Sequence, residues 1–185
     1  MVVKERISGV AFEHLVLSTP DVQWELHHGA VREKPGMSAQ HNWAMFYLGH
    51  LLQTQLDVAQ YQVRVNAGHI RYTPKNYYLP DVCVVPIALV RVAREHPLEV
   101  YDAPLPLVVE VWSPSTSEYD IDSKLPEYQA RGDLEIWRIQ PYERTLTAWV
   151  RQDNGSYTRT DYQGGTVWPT TLPNVAIDLA VLFAN

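Results

Sequence analysis

Two short apolar segments of the chain each carry one acidic side chain, and they constrain the fold more than any other feature. Asp81 stands at the start of YLPDVCVV (78–85), and Glu110 lies within LVVEVW (107–112). Short runs of β-branched residues bounded by prolines favour central strands that are buried on both faces. Two such strands therefore each bring a carboxylate into a place where burial favours apolar side chains.

The two acids have two physical explanations. Carboxylates about 4 Å apart repel by about 4 kcal/mol at an effective dielectric constant of about 20, and burial adds a desolvation cost. A divalent cation held between them would offset both, because carboxylate oxygens and backbone carbonyls are the ligands that Mg²⁺ prefers. In the other explanation, Asp81 caps a strand end and Glu110 pairs with an arginine such as Arg71.

The composition is that of a folded chain. Its 185 residues are 46% hydrophobic and 19% charged, which predicts one globular domain over residues 1–185. The single cysteine, Cys83, has no partner for an internal disulfide and lies in an apolar run, so we expect a buried thiol in a reducing compartment. We find neither a signal-peptide pattern nor an apolar run long enough for a membrane span, and we therefore expect a cytoplasmic protein.

The charges are segregated along the chain. The net charge is −6, yet residues 61–94 hold five basic side chains and one acid, whereas residues 95–143 hold eleven acids and three bases. An acidic chain is a poor non-specific binder of nucleic acid, because such binding depends on neutralising phosphates. A basic segment beside a carboxylate cluster, however, suits a site where an anion meets a metal.

The local patterns predict a mixed α and β structure. Residues 39–57 have the pattern of an amphipathic helix capped by Ser38, with Trp43, Phe46, Tyr47, Leu51 and Leu52 at helical spacing, and it should pack on a sheet. We predict a second helix over residues 124–131, with Ser123 as N-cap and Gly132 as its stop. Alternating patterns predict strands at 61–65, 134–140, 145–152 and 155–163, before a closing helix or strand at 172–183.

A wider set of motifs resembles the Uma2 family of restriction-endonuclease-like proteins. The motifs are Pro80-Asp81, LVVEVWSPST (107–116) and YDIDSKLPEYQARGDLEIWRIQP (119–141), with WELHHG (24–29) upstream. The resemblance covers most of the chain. It implies the PD-(D/E)XK nuclease fold, an α/β fold with a central mixed sheet flanked by helices and with extra β-hairpins. It also implies that Asp81, Glu110 and the carbonyl of Val111 bind Mg²⁺ or Mn²⁺.

The resemblance also implies where the catalytic lysine lies. The ordinary superfamily motif has a lysine two residues after the second acid, but this chain has Trp112 there. In the Uma2 pattern the lysine has moved to the following helix, and Lys124 occupies that position. The alternative is a solvated surface lysine, which is the commoner case for an average lysine.

Several further residues match or depart from the family pattern. His41, Asp120 and Tyr128 match positions that could support the site, and Trp137 is most simply a core residue, whereas Glu135 could pair with a basic neighbour. Two family acids are replaced, by Ala30 and Gln140. Glu25 and Glu33 are possible substitutes for an upstream metal-site acid, although we expect each to have a plain surface role.

The implied function is a metal-dependent endonuclease that cleaves phosphodiester bonds in DNA and leaves a 5′-phosphate. Candidates for contacts with the nucleic-acid backbone are Arg71, Lys75, Arg91 and Arg94. We expect a homodimer, because the aromatic segment 146–168 offers apolar surface. Two alternatives stay open. One is a non-catalytic nucleic-acid- or protein-binding module, favoured if Lys124 points away from the acids. The other is a glycosidase with two catalytic carboxylates, which needs neither the lysine nor the metal.

Overall fold

The protein was analysed as a computed structural model, which describes residues 6–113 and 119–184. The strands are β1 Trp24–His27, β2 Ala30–Glu33, β3 Tyr61–Val65, β4 His69–Thr73, β5 Asn76–Tyr78, β6 Val82–Pro86, β7 Val100–Tyr101, β8 Leu107–Val111, β9 Glu135–Gln140, β10 Thr145–Arg151, β11 Tyr157–Tyr162, β12 Thr166–Val167 and β13 Ile177–Asp178. The helices are α1 Gly9–Ser18, α2 Ala39–Gln55, α3 Ile87–Ala93, α4 Leu125–Arg131 and α5 Leu179–Leu182, and a π-helical turn, Asp120–Lys124, precedes α4.

A six-stranded mixed sheet forms the centre of the fold. Its strand order is β11-β10-β9-β8-β6-β3, and the pairing is antiparallel except between β8 and β9, which run parallel. The two acid-bearing segments thus belong to adjacent central strands, as the prolines and β-branched residues predict. A second sheet has the order β2-β1-β5-β4-β7, and β12 pairs with β13.

Helices cover both faces of the six-stranded sheet. On one face, Leu48 and Leu52 of α2 pack with Val82 and Val109, which alternate with the residues of the other face. On the other face, Cys83 and Val108 pack with residues of α3 and with Tyr128 of α4. The fold is therefore the predicted mixed sheet flanked by helices, with the hairpins β1–β2 and β10–β11 added to it.

The helix α2 lies where it was predicted, but only part of the predicted apolar face is buried. Ser38 caps it, since the Ser38 hydroxyl accepts from the His41 backbone N–H at 3.2 Å. Leu52 is buried as predicted, whereas Trp43 and Phe46 point outward, and Phe46 is 60% exposed. Gly49 lies on the buried side and allows the helix to approach β3 closely.

The helix α4 ends as predicted but begins differently. Gly132 has φ of 88°, the left-handed conformation that a C-terminal glycine adopts at low cost. Ser123 is not the N-cap, because the π-helical turn continues the helix upstream through Lys124 and no side chain caps α4. Residues 172–183 form both expected elements, a two-residue strand and a short helix.

Two further sequence expectations concern Cys83 and membrane association. The Cys83 thiol is buried, and burial raises its pKa to about 12. Within the described ranges, no helix has both the length and the apolar character needed to cross a membrane.

Candidate active site

The register of β6 and β8 places the two acids side by side. Val82 pairs with Val109 in this antiparallel ladder, so the next position along the ladder brings Asp81 next to Glu110. The Val111 backbone N–H donates to Asp81 Oδ2 at 2.7 Å. Asp81 and Glu110 both line one pocket, together with Lys34, His41, Ser113 and Lys124.

Asp81 is a buried carboxylate that contacts two basic side chains. The Lys34 ammonium donates to Asp81 Oδ1 at 2.8 Å, and His41 Nε2 lies 3.1 Å from Oδ2. Burial alone would raise the pKa of Asp81, but the Lys34 ammonium and the His41 hydrogen bond together hold that pKa well below its usual range. Asp81 is therefore ionised at neutral pH. His41 contacts the site as the sequence suggested.

Lys34 was not singled out in the sequence. It follows directly after β2, and its side chain is only 7% exposed. Its ammonium also donates to Asn66 Oδ1 at 2.7 Å and to the Leu79 carbonyl at 2.9 Å, so all three of its N–H donors have acceptors. A lysine before Pro-Gly at a strand end has the sequence signature of a surface residue, which is why it was missed.

Lys124 is buried beside the second acid. Its side chain is 2% exposed, and its ammonium lies 3.2 and 3.3 Å from the two oxygens of Glu110. The surface interpretation of this lysine is therefore wrong. The Lys124 side chain points toward the acids. This orientation is the opposite of the one that would favour a binding module without catalysis. The Tyr128 hydroxyl also donates to Glu110 Oε1, at 2.6 Å, so Tyr128 contacts the site through Glu110 but does not line the pocket.

Glu25 is a third buried acid, and its expected surface role is wrong. The Lys124 ammonium lies 2.8 Å from Glu25 Oε1, and the Leu79 backbone N–H donates to the same oxygen at 2.9 Å. Lys124 thus bridges β1 of the five-stranded sheet and β8 of the six-stranded sheet. Alternation along WELHHG places Glu25 and His27 on the face opposite Trp24 and Leu26, which is the usual pattern of a solvent-facing side, so the sequence gives no signal for the burial of Glu25.

Glu33 and Glu135 lie outside this pocket. Glu33 is exposed at the end of β2, in agreement with a surface role. The side chain of Asp120 lies outside the described residues. Among the residues that the structure describes, no basic side chain pairs with Glu135, which accepts from Trp137 Nε1 at 2.6 Å and from the Thr170 backbone N–H at 2.8 Å.

The four basic candidates for nucleic-acid contacts do not line the pocket. Arg71 makes a two-pronged ion pair with Asp102 at 2.6 Å, which rules out the alternative in which Arg71 pairs with Glu110. Lys75, Arg91 and Arg94 are exposed. The basic groups at the pocket are instead Lys34, Lys124 and His41.

The pocket has the chemistry of a site for a hard divalent cation. Its open volume is about 10 Å³, roughly what one water molecule needs, and two carboxylates and the Ser113 hydroxyl border it. A carboxylate offers about four lone-pair positions, and among the described residues Asp81 accepts three hydrogen bonds, from Lys34, His41 and Val111. One position on Asp81 thus remains for a metal. Oxygen ligands of this kind fit Mg²⁺ or Mn²⁺.

The fold and the pocket together define a class of protein. The structure superposes on a solved structure from Anabaena variabilis described as "a putative nuclease belonging to DUF820", with a TM-score of 0.77 at 15% sequence identity, covering 96% of this chain and 98% of that chain. The chain thus shares the fold of that protein.

The family follows from the sequence match. The model of the Uma2 family, described as "Putative restriction endonuclease", matches residues 10–181, so the chain belongs to the Uma2 family. A comparison with curated proteins gave no match.

Proposed function

We propose that this protein is a metal-dependent endonuclease that hydrolyses phosphodiester bonds in DNA. The observation that carries the proposal is the position of Lys124, whose buried ammonium contacts Glu110 at the pocket that Asp81 also lines. Two carboxylates and one lysine at a shared pocket can hold a catalytic metal and orient a water and a phosphate, which suits metal-assisted phosphodiester cleavage.

Each residue has a distinct role in the proposed reaction. Asp81 and Glu110 would hold Mg²⁺ or Mn²⁺, with the Val111 carbonyl as a third ligand. The ion would supply charge stabilisation at the scissile phosphate and would acidify a water molecule. Lys124 orients the attacking water and donates to a non-bridging phosphate oxygen.

The surrounding residues position these groups. Glu25 and Tyr128 act through their neighbours, since Glu25 holds the Lys124 ammonium and Tyr128 holds Glu110. Lys34 and His41 keep Asp81 ionised and fix its orientation. In the hydrolysis, the water oxygen bonds to phosphorus as the bond from phosphorus to the 3′ oxygen breaks. The products are a 5′-phosphate and a 3′-hydroxyl, and the proton from water passes to the leaving oxygen through solvent.

Cleavage assays on three variants test the proposal. Supercoiled plasmid, single-stranded DNA and RNA are incubated with wild-type protein in Mg²⁺, in Mn²⁺ and in EDTA, and nicked and linear products are scored. We expect Asp81→Asn and Glu110→Gln to lose cleavage together with metal binding measured by calorimetry. Lys124→Met should lower cleavage by a factor on the order of 10² while still binding the metal.

Two control variants should keep the cleavage activity of the wild type. Glu143→Gln and Arg151→Met remove one exposed acidic and one exposed basic side chain away from the pocket and should cut like wild type. If the wild-type protein binds DNA but cuts none of the substrates with either metal, the protein is a binding module and not an enzyme.

A further inference from the structure

A second group of possible metal ligands lies where the β1–β2 hairpin meets α4. His27, His28 and Glu127 each offer one ligand atom, and these atoms all lie within 4.8 Å of one another. None of the three belongs to the pocket of Asp81 and Glu110. The hairpin turn has no role in the proposed cleavage reaction.

The spacing of these atoms is close to that of a tetrahedral metal site. Zn²⁺ binds nitrogen and carboxylate oxygen at about 2.0–2.2 Å, which places neighbouring tetrahedral ligands about 3.4 Å apart. His28 Nε2 lies 3.6 Å from Glu127 Oε1, and His27 Nδ1 lies 3.9 Å from the same oxygen. The ligand nitrogens of the two histidines lie within 4.8 Å of each other, so closing the three separations by between about 0.2 and 1.4 Å would bring both imidazoles and the carboxylate onto one ion.

The Glu127 carboxylate is held in place by neutral hydrogen-bond donors. Asn76 Nδ2 lies 2.7 Å from both of its oxygens, and the Tyr78 hydroxyl donates to Oε2 at 2.6 Å. Hydrogen bonds of this kind fix the orientation of a ligating carboxylate in metal sites. They leave Oε1 on the side of the two histidines.

The hairpin turn presents both histidines to this carboxylate. His28 has φ of 50° and Gly29 has φ of 82°, the pair of positive values that a two-residue type I′ turn requires. The two imidazole rings lie 4.2 Å apart. His27 Nδ1 also lies 2.8 Å from the Tyr78 hydroxyl, and a metal bound at that nitrogen would replace this hydrogen bond.

We propose that His27, His28 and Glu127 bind one Zn²⁺ ion, with the fourth position open to water. His28 is 63% exposed, so the site is accessible from solvent. Two imidazoles and one carboxylate select Zn²⁺ over Mg²⁺, which prefers six oxygen ligands. Glu25 lies two residues before His27, and Lys124 three residues before Glu127, so the ion would tie together the two elements that make the Glu25–Lys124 ion pair.

Calorimetric titration with Zn²⁺ in excess Mg²⁺ tests the site. We expect the wild type to bind one Zn²⁺ per chain. The Zn²⁺ affinity of His28→Asn should be at least about 10-fold weaker, since even residues that only hydrogen-bond to a metal ligand change the metal affinity by about this factor. Asn-Gly is a preferred type I′ pair, so this substitution keeps the turn. His50→Asn removes an exposed histidine elsewhere and should bind like wild type.

Two further measurements separate this site from the proposed cleavage site. Zn²⁺ binding should persist in Glu110→Gln, and the visible spectrum of wild-type protein with Co²⁺ should be that of a four-coordinate site with nitrogen ligands. Loss of the Zn²⁺ equivalent in Glu110→Gln with retention in His28→Asn would overturn the proposal. Absence of binding, or a six-coordinate Co²⁺ spectrum, would overturn it as well, whether or not the protein cleaves DNA.

Discussion

Replacing Lys124 with methionine should destabilise the fold as well as remove cleavage. The Lys124 ammonium lies 2.8 Å from Glu25 Oε1 and 3.2 Å from Glu110 Oε1, so the two carboxylate oxygens are at most 6.0 Å apart, the sum of these distances. Two charges at that separation repel by about 3 kcal/mol at an effective dielectric constant of about 20. Methionine keeps the length of the side chain but none of the charge.

The expected loss of stability follows from this repulsion and from the lost attraction. Removing one partner of a buried ion pair costs about 3–5 kcal/mol, because it leaves an uncompensated buried charge. We expect Lys124→Met to lower the free energy of unfolding by this amount at pH 7, as measured by urea denaturation. Lys75→Met, at an exposed lysine, should change it by less than about 0.5 kcal/mol.

Added Mg²⁺ gives the sharper form of this test. A cation bound near Glu110 replaces part of the missing positive charge, so Mg²⁺ should raise the unfolding free energy of Lys124→Met more than that of the wild type. A variant as stable as the wild type, within about 1 kcal/mol, would refute the inference that one lysine holds two buried carboxylates together.

Three further predictions concern other parts of the molecule. Burial lowers the pKa of His69 below its usual 6.5, so the unfolded state binds a proton at this histidine at a higher pH than the folded state does. The stability of the wild type should therefore drop between pH 7 and pH 5, and the melting temperature of His69→Gln should fall less over the same range. An equal fall in the melting temperatures of the two proteins would contradict this. Gly49→Ala should cost about 1–3 kcal/mol in urea unfolding, because an added Cβ would lie 2.4 Å from Val65 Cγ2, whereas Gly36→Ala, where nothing lies within 4 Å, should not. The homodimer stays a prediction, supported by Trp168, which is 68% exposed, and light scattering that gives a monomer mass at high concentration would refute it.

The central strands could be predicted because their signal is local. Each acid-bearing segment is a short apolar run bounded by prolines, and such a run has few ways to be buried. The position of Asp81 at a strand start and of Glu110 within a strand then restricts how the two carboxylates can meet. The neighbouring turn at Gly132 was also predictable, because a left-handed residue at a helix end favours glycine.

The partners of these acids could not be predicted from the sequence. Lys34 reaches Asp81 across 47 residues, and Glu25 comes from the other sheet. Neither contact leaves a local pattern, since a lone lysine or glutamate near a hairpin most often lies on the surface. The apolar face of α2 was predicted only in part: Leu52 is buried, but Trp43 and Phe46 are exposed, because the helix lies against the sheet on the side of Leu48 and Gly49.

The charges at the pocket favour a cation and an anion that bind together. Three carboxylates, Glu25, Asp81 and Glu110, face two ammonium groups, Lys34 and Lys124, so these five side chains sum to −1. A divalent cation alone would bring them to +1, and one phosphodiester charge would return the sum to zero. Because an unbalanced charge is costly where the dielectric constant is low, each ligand should raise the affinity of the other, by the same factor in both directions. If the proposed function is correct, the metal should therefore be bound most tightly while a phosphate of the substrate is in place.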